Sequence, residues 1–183
     1  QDVIFTRAGQ VSPIDSMRDP HTDLEVNCRA QLTLLEACRH NNPTVKVVFA
    51  GTRQIYGRAD FLPVTESHLV RPTDVNGINK AAGEYYHLVY NNVFGVRACA
   101  LRLTNVYGPR QTPIYVVSQT VQRVLNGEAP DLYDGGAQTR CLTYIDDAIE
   151  RMEDVWKLFQ EMKVKDVIPD EATFRELKDR FGS

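Results

Sequence analysis

The sequence has no apolar run approaching the ~18 residues of a membrane span and no charged-then-apolar leader, which argues against a membrane segment. It has no cluster of Lys and Arg: a net charge of −3 is spread along the chain, so no run of phosphates would be neutralised and nucleic acid is not an expected partner. It is poor in cysteine as well. Cys28, Cys38, Cys99 and Cys141 stand apart with no C-x-x-C pair, which excludes a disulfide frame or a zinc site and suits a reducing, cytoplasmic setting with no metal. What remains is ordinary globular composition, 43% apolar and 25% charged.

Two short runs rich in β-branched residues, DVIFT near the start and VKVVFA over Val45–Ala50, are expected as buried strands. Between them Leu24, Cys28, Leu32 and Leu35 fall on one helical face, after the turn-rich RDPHTD and before the stop HNNP. A helix from about Asn76 to Asn92 then feeds a strand over Val96–Leu103, and a further helix spans Val116–Leu125. Strands alternating with helices of this length predict a parallel α/β sheet with helices on both faces. In such sheets ligands gather at the carboxyl ends of the strands, where this chain places RAGQVS, GTRQIYG and TNVYGPRQ.

Five stretches, FTRAGQVS, FAGTRQIYG, NGINKAAGE, LRLTNVYGPRQ and YDGGAQTRCLTYIDD, occur in that order. Together they resemble the extended short-chain dehydrogenase/reductase superfamily, and within it the NAD-dependent nucleotide-sugar epimerases and dehydratases. The resemblance covers about residues 2–147 and implies an incomplete Rossmann-like domain over 1–147. It also implies NAD as cofactor and a UDP- or dTDP-sugar as substrate.

In that family a hydroxyl residue, a tyrosine and a lysine act on a sugar hydroxyl. The lysine lowers the phenol pKa, the phenolate takes the proton, and the cofactor takes the hydride. The resemblance puts the hydroxyl at Thr52 and the lysine at Lys80, which also touches cofactor, as does Gly9 in the first loop. A solvated helix lysine is the alternative for Lys80. The tyrosine position is Asn76, four residues before Lys80, and a carboxamide can orient a hydroxyl but cannot accept its proton as a base. Helix capping is the other reading of Asn76, since Asp74 and Asn76 both suit a helix start. Tyr85 and Tyr86 point well away from Lys80 around a helix, leaving Lys80 itself or Tyr56 as conceivable substitutes.

Three further departures matter. Arg53 and Gln54 follow Thr52 where the dehydratases carry Asp-Glu, which favours epimerisation over dehydration. Thr6-Arg7 replaces a His-Leu pair, and a charged Arg7 at the inner end of a buried strand is expected to need a partner or a ligand phosphate. No G-x-x-G-x-x-G turn occurs, so the pyrophosphate cradle is expected to be missing and NAD binding and catalysis impaired. Asn105 and Arg140 match positions that meet the sugar diphosphate, with a surface turn arginine as the alternative for Arg140.

Beyond Asp147 the chain turns charged. Met152, Val155, Phe159 and Met162 form one helical stripe and Phe174, Leu177 and Phe181 another, so 148–183 is expected to be a C-terminal helical hairpin. This tail is similar to a helical stretch of the bacterial RNA polymerase β′ subunit. Its stripes predict a homo-oligomer formed through 149–181. The rival function is a non-catalytic oligomerising or ligand-binding module, built on open strand edges and these stripes, or an unrelated small-molecule activity in an exposed cleft.

Overall fold

The computed structural model describes residues 3–7 and 9–150, and the expected helical hairpin lies outside them apart from its first residues. Two compact units are present, one up to Leu103 and one from Thr104.

In the first unit three parallel strands form a sheet in the order β1 (Val3–Thr6), β2 (Lys46–Thr52), β3 (Arg97–Leu103). Both crossovers are helical. The first runs through α1 (Pro13–Arg18), α2 (Pro20–Leu24), a π-helical turn over Glu25–Arg29 and α3 (Ala30–Asn41); the second is α4 (Val75–Phe94). The starts follow local chemistry: Ser12 caps α1 by accepting from Asp15 N at 3.2 Å, and Asp19 caps α2 through Thr22 N at 3.1 Å, each followed by proline. Asp74 caps α4, accepting from Gly77 N at 2.7 Å, and Gly95 ends it with φ 71°. The cap is thus Asp74 and not Asn76.

Leu35 and Cys38 of α3 pack with Tyr90 of α4 on Val45, Val47 and Ala98, with Ile4 at the margin. These strand residues share a face because side chains alternate along a strand. Phe5, on the opposite face of β1, is 46% exposed, and Arg7 is exposed too. The expectations of a fully buried first strand and of a buried Arg7 in need of a partner therefore fail. Among the described residues β1 pairs on one side only, with β2.

The helical face drawn from Leu24, Cys28, Leu32 and Leu35 is also altered. Cys28 and Leu35 are buried, but Leu24 is 43% exposed. The buried side chains of this segment include Asp23, Asn27 and Gln31, spaced by four, and the π-helical turn sets their phase. They lie on the seam with α4, where a Cβ on Gly83 would come within 3.0 Å of both Asn27 O and the Phe49 ring. A side chain at Gly83 would have to push one of them aside by a few tenths of an ångström.

The second unit pairs β4 (Asn105–Tyr107) in parallel with β5 (Leu142–Tyr144), Asn105 opposite Leu142. Its helix α5 (Val116–Leu125) lies between them in sequence, and Tyr107 meets Tyr144 edge to face at 5.5 Å. No described helix is long and apolar enough to cross a membrane.

Candidate active site

The polar seam of the first unit converges on the loop after β1. Asn76, only 1% exposed, donates from Nδ2 to the Gln10 carbonyl at 2.6 Å and to Asp23 Oδ2 at 3.1 Å. Asp23 is fully buried and takes a second carboxamide on its other oxygen, from Asn79 Nδ2 at 2.8 Å. Asn27 Nδ2 reaches the same Gln10 carbonyl at 2.9 Å. One buried carboxylate and one backbone carbonyl thus gather three asparagines from two helices.

Lys80 stands one turn along α4, 6% exposed, and donates from Nζ to the Ala50 carbonyl at 3.0 Å. Its ammonium lies 5.1 Å above the Phe49 ring. Burial pulls the Lys80 pKa below its ordinary value, and the negative charge of Asp23 works against that shift. The buried placement sets aside the alternative of a solvated helix lysine.

Gly9 completes this corner. A Cβ there would lie 2.5 Å from Asn27 Oδ1 and 3.0 Å from Lys80 Nζ, so the bare backbone sits directly against both. Asn27 Oδ1 is buried with no hydrogen-bond partner. Thr52 ends β2 and accepts from Gln54 N at 3.2 Å, capping the 3-10 turn Arg53–Tyr56; the Arg53 side chain faces solvent.

Tyr56 is engaged elsewhere. Its hydroxyl accepts from Arg102 Nη1 at 2.5 Å, while Arg102 grips the buried Glu84 through Nε at 3.0 Å and Nη2 at 2.5 Å. The Glu84 hydrogen bonds raise the Arg102 pKa further, so this guanidinium is a permanent cation. Of the two neighbouring tyrosines, Tyr85 is 52% exposed and Tyr86 packs on the core of α3 and α4. No described set of three His, Cys, Asp or Glu side chains could hold a metal.

In the second unit Asn105 donates from Nδ2 to the Cys141 carbonyl at 3.2 Å. The register of β4 and β5 brings it beside the loop of Arg140, whose exposed guanidinium holds the Thr139 carbonyl at 2.9 Å and Gln138 Oε1 at 2.8 Å. Asn105 thus begins β4, and Arg140 lies in the loop two residues before β5. Asp23, Asn27 and Asn79 were missed, because polar residues four apart look like a solvated helix face. Their signal was the very regularity of Asp23, Asn27 and Gln31 beside the asparagines of NGINK.

The model of the NAD dependent epimerase/dehydratase family matches residues 1–167. The chain belongs to that family. The match runs past Asp147 into the first part of the tail. A putative UDP-glucose 4-epimerase of Methanocaldococcus jannaschii is 33% identical over 150 residues, 80% of this chain and 49% of the relative. The UDP-glucose 4-epimerase of Mycolicibacterium smegmatis is 31% identical over 152 residues, 81% of this chain and 49% of its own. Among solved structures, the UDP-glucuronic acid 4-epimerase from Bacillus cereus, in complex with UDP-glucuronic acid and NAD, superposes with TM-score 0.78 at 30% identity, covering 85% of this chain and 49% of that one. The chain spans about half the length of the curated relatives it matches.

Proposed function

We propose that this chain carries the lysine side of an NAD-dependent nucleotide-sugar epimerase site, with Thr52, Asn76 and Lys80 facing the sugar and the ordinary proton-transfer route closed at Asn76. The observation that carries this reading is the environment of position 76: a buried carboxamide whose nitrogen is committed to Gln10 and Asp23 and which cannot take up a proton as a base. Arg53 and Gln54 after Thr52 supply no acid–base pair for eliminating water, which favours epimerisation over dehydration.

The corner at Gly9 suits the ribose end of NAD. A ribose diol can accept, and here the Lys80 ammonium lies against a backbone with no side chain. Bound NAD would supply a hydride acceptor. Lys80 would hold a ribose hydroxyl, Gly9 would let the first loop lie close against Lys80, and Thr52 would hydrogen-bond the sugar. Asn105 and Arg140 are assigned to the sugar diphosphate, for which a guanidinium offers parallel donors.

This sequence has no glycine-rich turn to cradle a pyrophosphate. The 183-residue chain is therefore expected to bind NAD weakly, and low-micromolar binding by titration calorimetry would overturn that. We also assign self-association to the stripe Met152, Val155, Phe159 and Met162. A second reading, a pairing module, draws on β1, whose described partner is β2 alone and whose Phe5 is 46% exposed.

A further inference from the structure

A carboxamide has two hydrogens on nitrogen and one accepting oxygen. Asn76 directs Nδ2 inward to two acceptors, the Gln10 carbonyl and Asp23 Oδ2, so the group it has left to offer is Oδ1. Turning the amide over would set Oδ1 against a carbonyl and a carboxylate, neither of which can donate. Asp23 is held in turn: it is fully buried, and Asn79 Nδ2 occupies its other oxygen. The orientation at position 76 is therefore decided by the Gln10 carbonyl of the loop together with Asp23 of the neighbouring helix.

We infer that Asp23 is a positioning residue that fixes Asn76 as a hydrogen-bond acceptor, so that the site takes at this point a ligand group that donates, such as a sugar hydroxyl, and rejects one that only accepts. The inference rests on the nucleotide-sugar reading and adds a selectivity to it. A phenol could both donate and accept. The fixed amide distinguishes the alcohol from its ketone: oxidising the hydroxyl would remove the donated proton and set carbonyl oxygen against carbonyl oxygen. The site thus favours the hydroxyl form of the sugar.

The test uses the whole 183-residue chain and two probes, UDP-glucose and its 4-deoxy-4-fluoro analogue, in which fluorine replaces a donor with a weak acceptor. Ligand-observed NMR measures both affinities in the unaltered chain, in Asp23→Asn and in Asn79→Leu. The unaltered chain should prefer UDP-glucose by about tenfold, the worth of one hydrogen bond at a desolvated group. Asp23→Asn brings a donor to position 23 and leaves the Gln10 carbonyl alone to hold the amide, so the preference should fall to a few-fold. Asn79→Leu removes the arm that holds Asp23 and should lower the preference by less than Asp23→Asn does.

A readout free of any variant is the side-chain carbonyl carbon of Asn76 in labelled protein. It should shift on adding UDP-glucose, and the fluoro analogue should leave it in place. Equal affinities in the unaltered chain, or an unmoved Asn76 carbonyl with UDP-glucose bound, would overturn the inference and leave the nucleotide-sugar reading standing. Failure of both probes to bind would overturn that reading, and the inference with it.

Discussion

Restoring a phenol by Asn76→Tyr should damage the fold before it could help the chemistry. Asn76 is 1% exposed and spends its amide on the Gln10 carbonyl and on Asp23. The substitution removes both bonds, and losing a hydrogen bond to a charged group costs about 1.5–3 kcal/mol. Forcing a larger ring into a filled position adds about 1–3 kcal/mol. A total of about 2.5–6 kcal/mol corresponds to a fall in Tm of roughly 5–25 °C for a chain of this size. Thermal unfolding followed by circular dichroism measures it. A variant melting within about 2 °C of the unaltered chain would refute the account of a filled, hydrogen-bonded seam. Asn76→Asp would be worse, setting a second carboxylate against Asp23, and the exchange Asp23→Asn with Asn76→Asp should recover part of that loss because it restores one donor to one acceptor.

Three further outcomes are expected. Arg102→Met strands the buried Glu84 and should cost about 3 kcal/mol or more in a denaturant titration, whereas Arg102→Met with Glu84→Met should recover much of it; equal losses in both would show the pair to be incidental. His87 is fully buried, stacks on Phe49 at 4.7 Å, and its pKa is held below the ordinary 6.5 by burial. The unfolded chain therefore takes up the proton first, so the stability His87 contributes is present above pH 6.5 and lost as pH falls below it; His87→Phe should flatten that part of a stability–pH curve, and an unchanged slope would contradict it. Light scattering of the whole chain and of one ending at Asp147 should give an oligomer and a smaller species, and a monomeric whole chain would remove the role assigned to the tail.

Much of the framework was legible because it is written in local chemistry. The β-branched runs became β1 and β2, and the strand–helix alternation became parallel pairing. Gly95 closed α4 where a left-handed residue was required. Lys80 stood out by its motif, and the structure places it in the buried seam, 6% exposed. Burial of polar groups was not legible. Asp23 and Asn79 resemble exposed helix residues until α4 is laid against α2, because the hydrogen bonds that make their burial tolerable come from residues more than fifty positions away. Leu24 was misplaced for a related reason: a π-helical turn shifts the helical phase, and a periodicity of 3.6 residues cannot foresee it. Tyr56 looked available as a substitute base, yet Arg102, forty-six positions further on, holds its hydroxyl.

The central claim is that position 76 provides an acceptor where the reaction needs a base. The most direct measurement incubates the unaltered chain with NAD and UDP-glucose and follows UDP-galactose, beside a Lys80→Met control. The account expects no interconversion above that control. Sustained turnover by the unaltered chain that Lys80→Met abolishes would contradict it, and would make Lys80 the group that moves the proton.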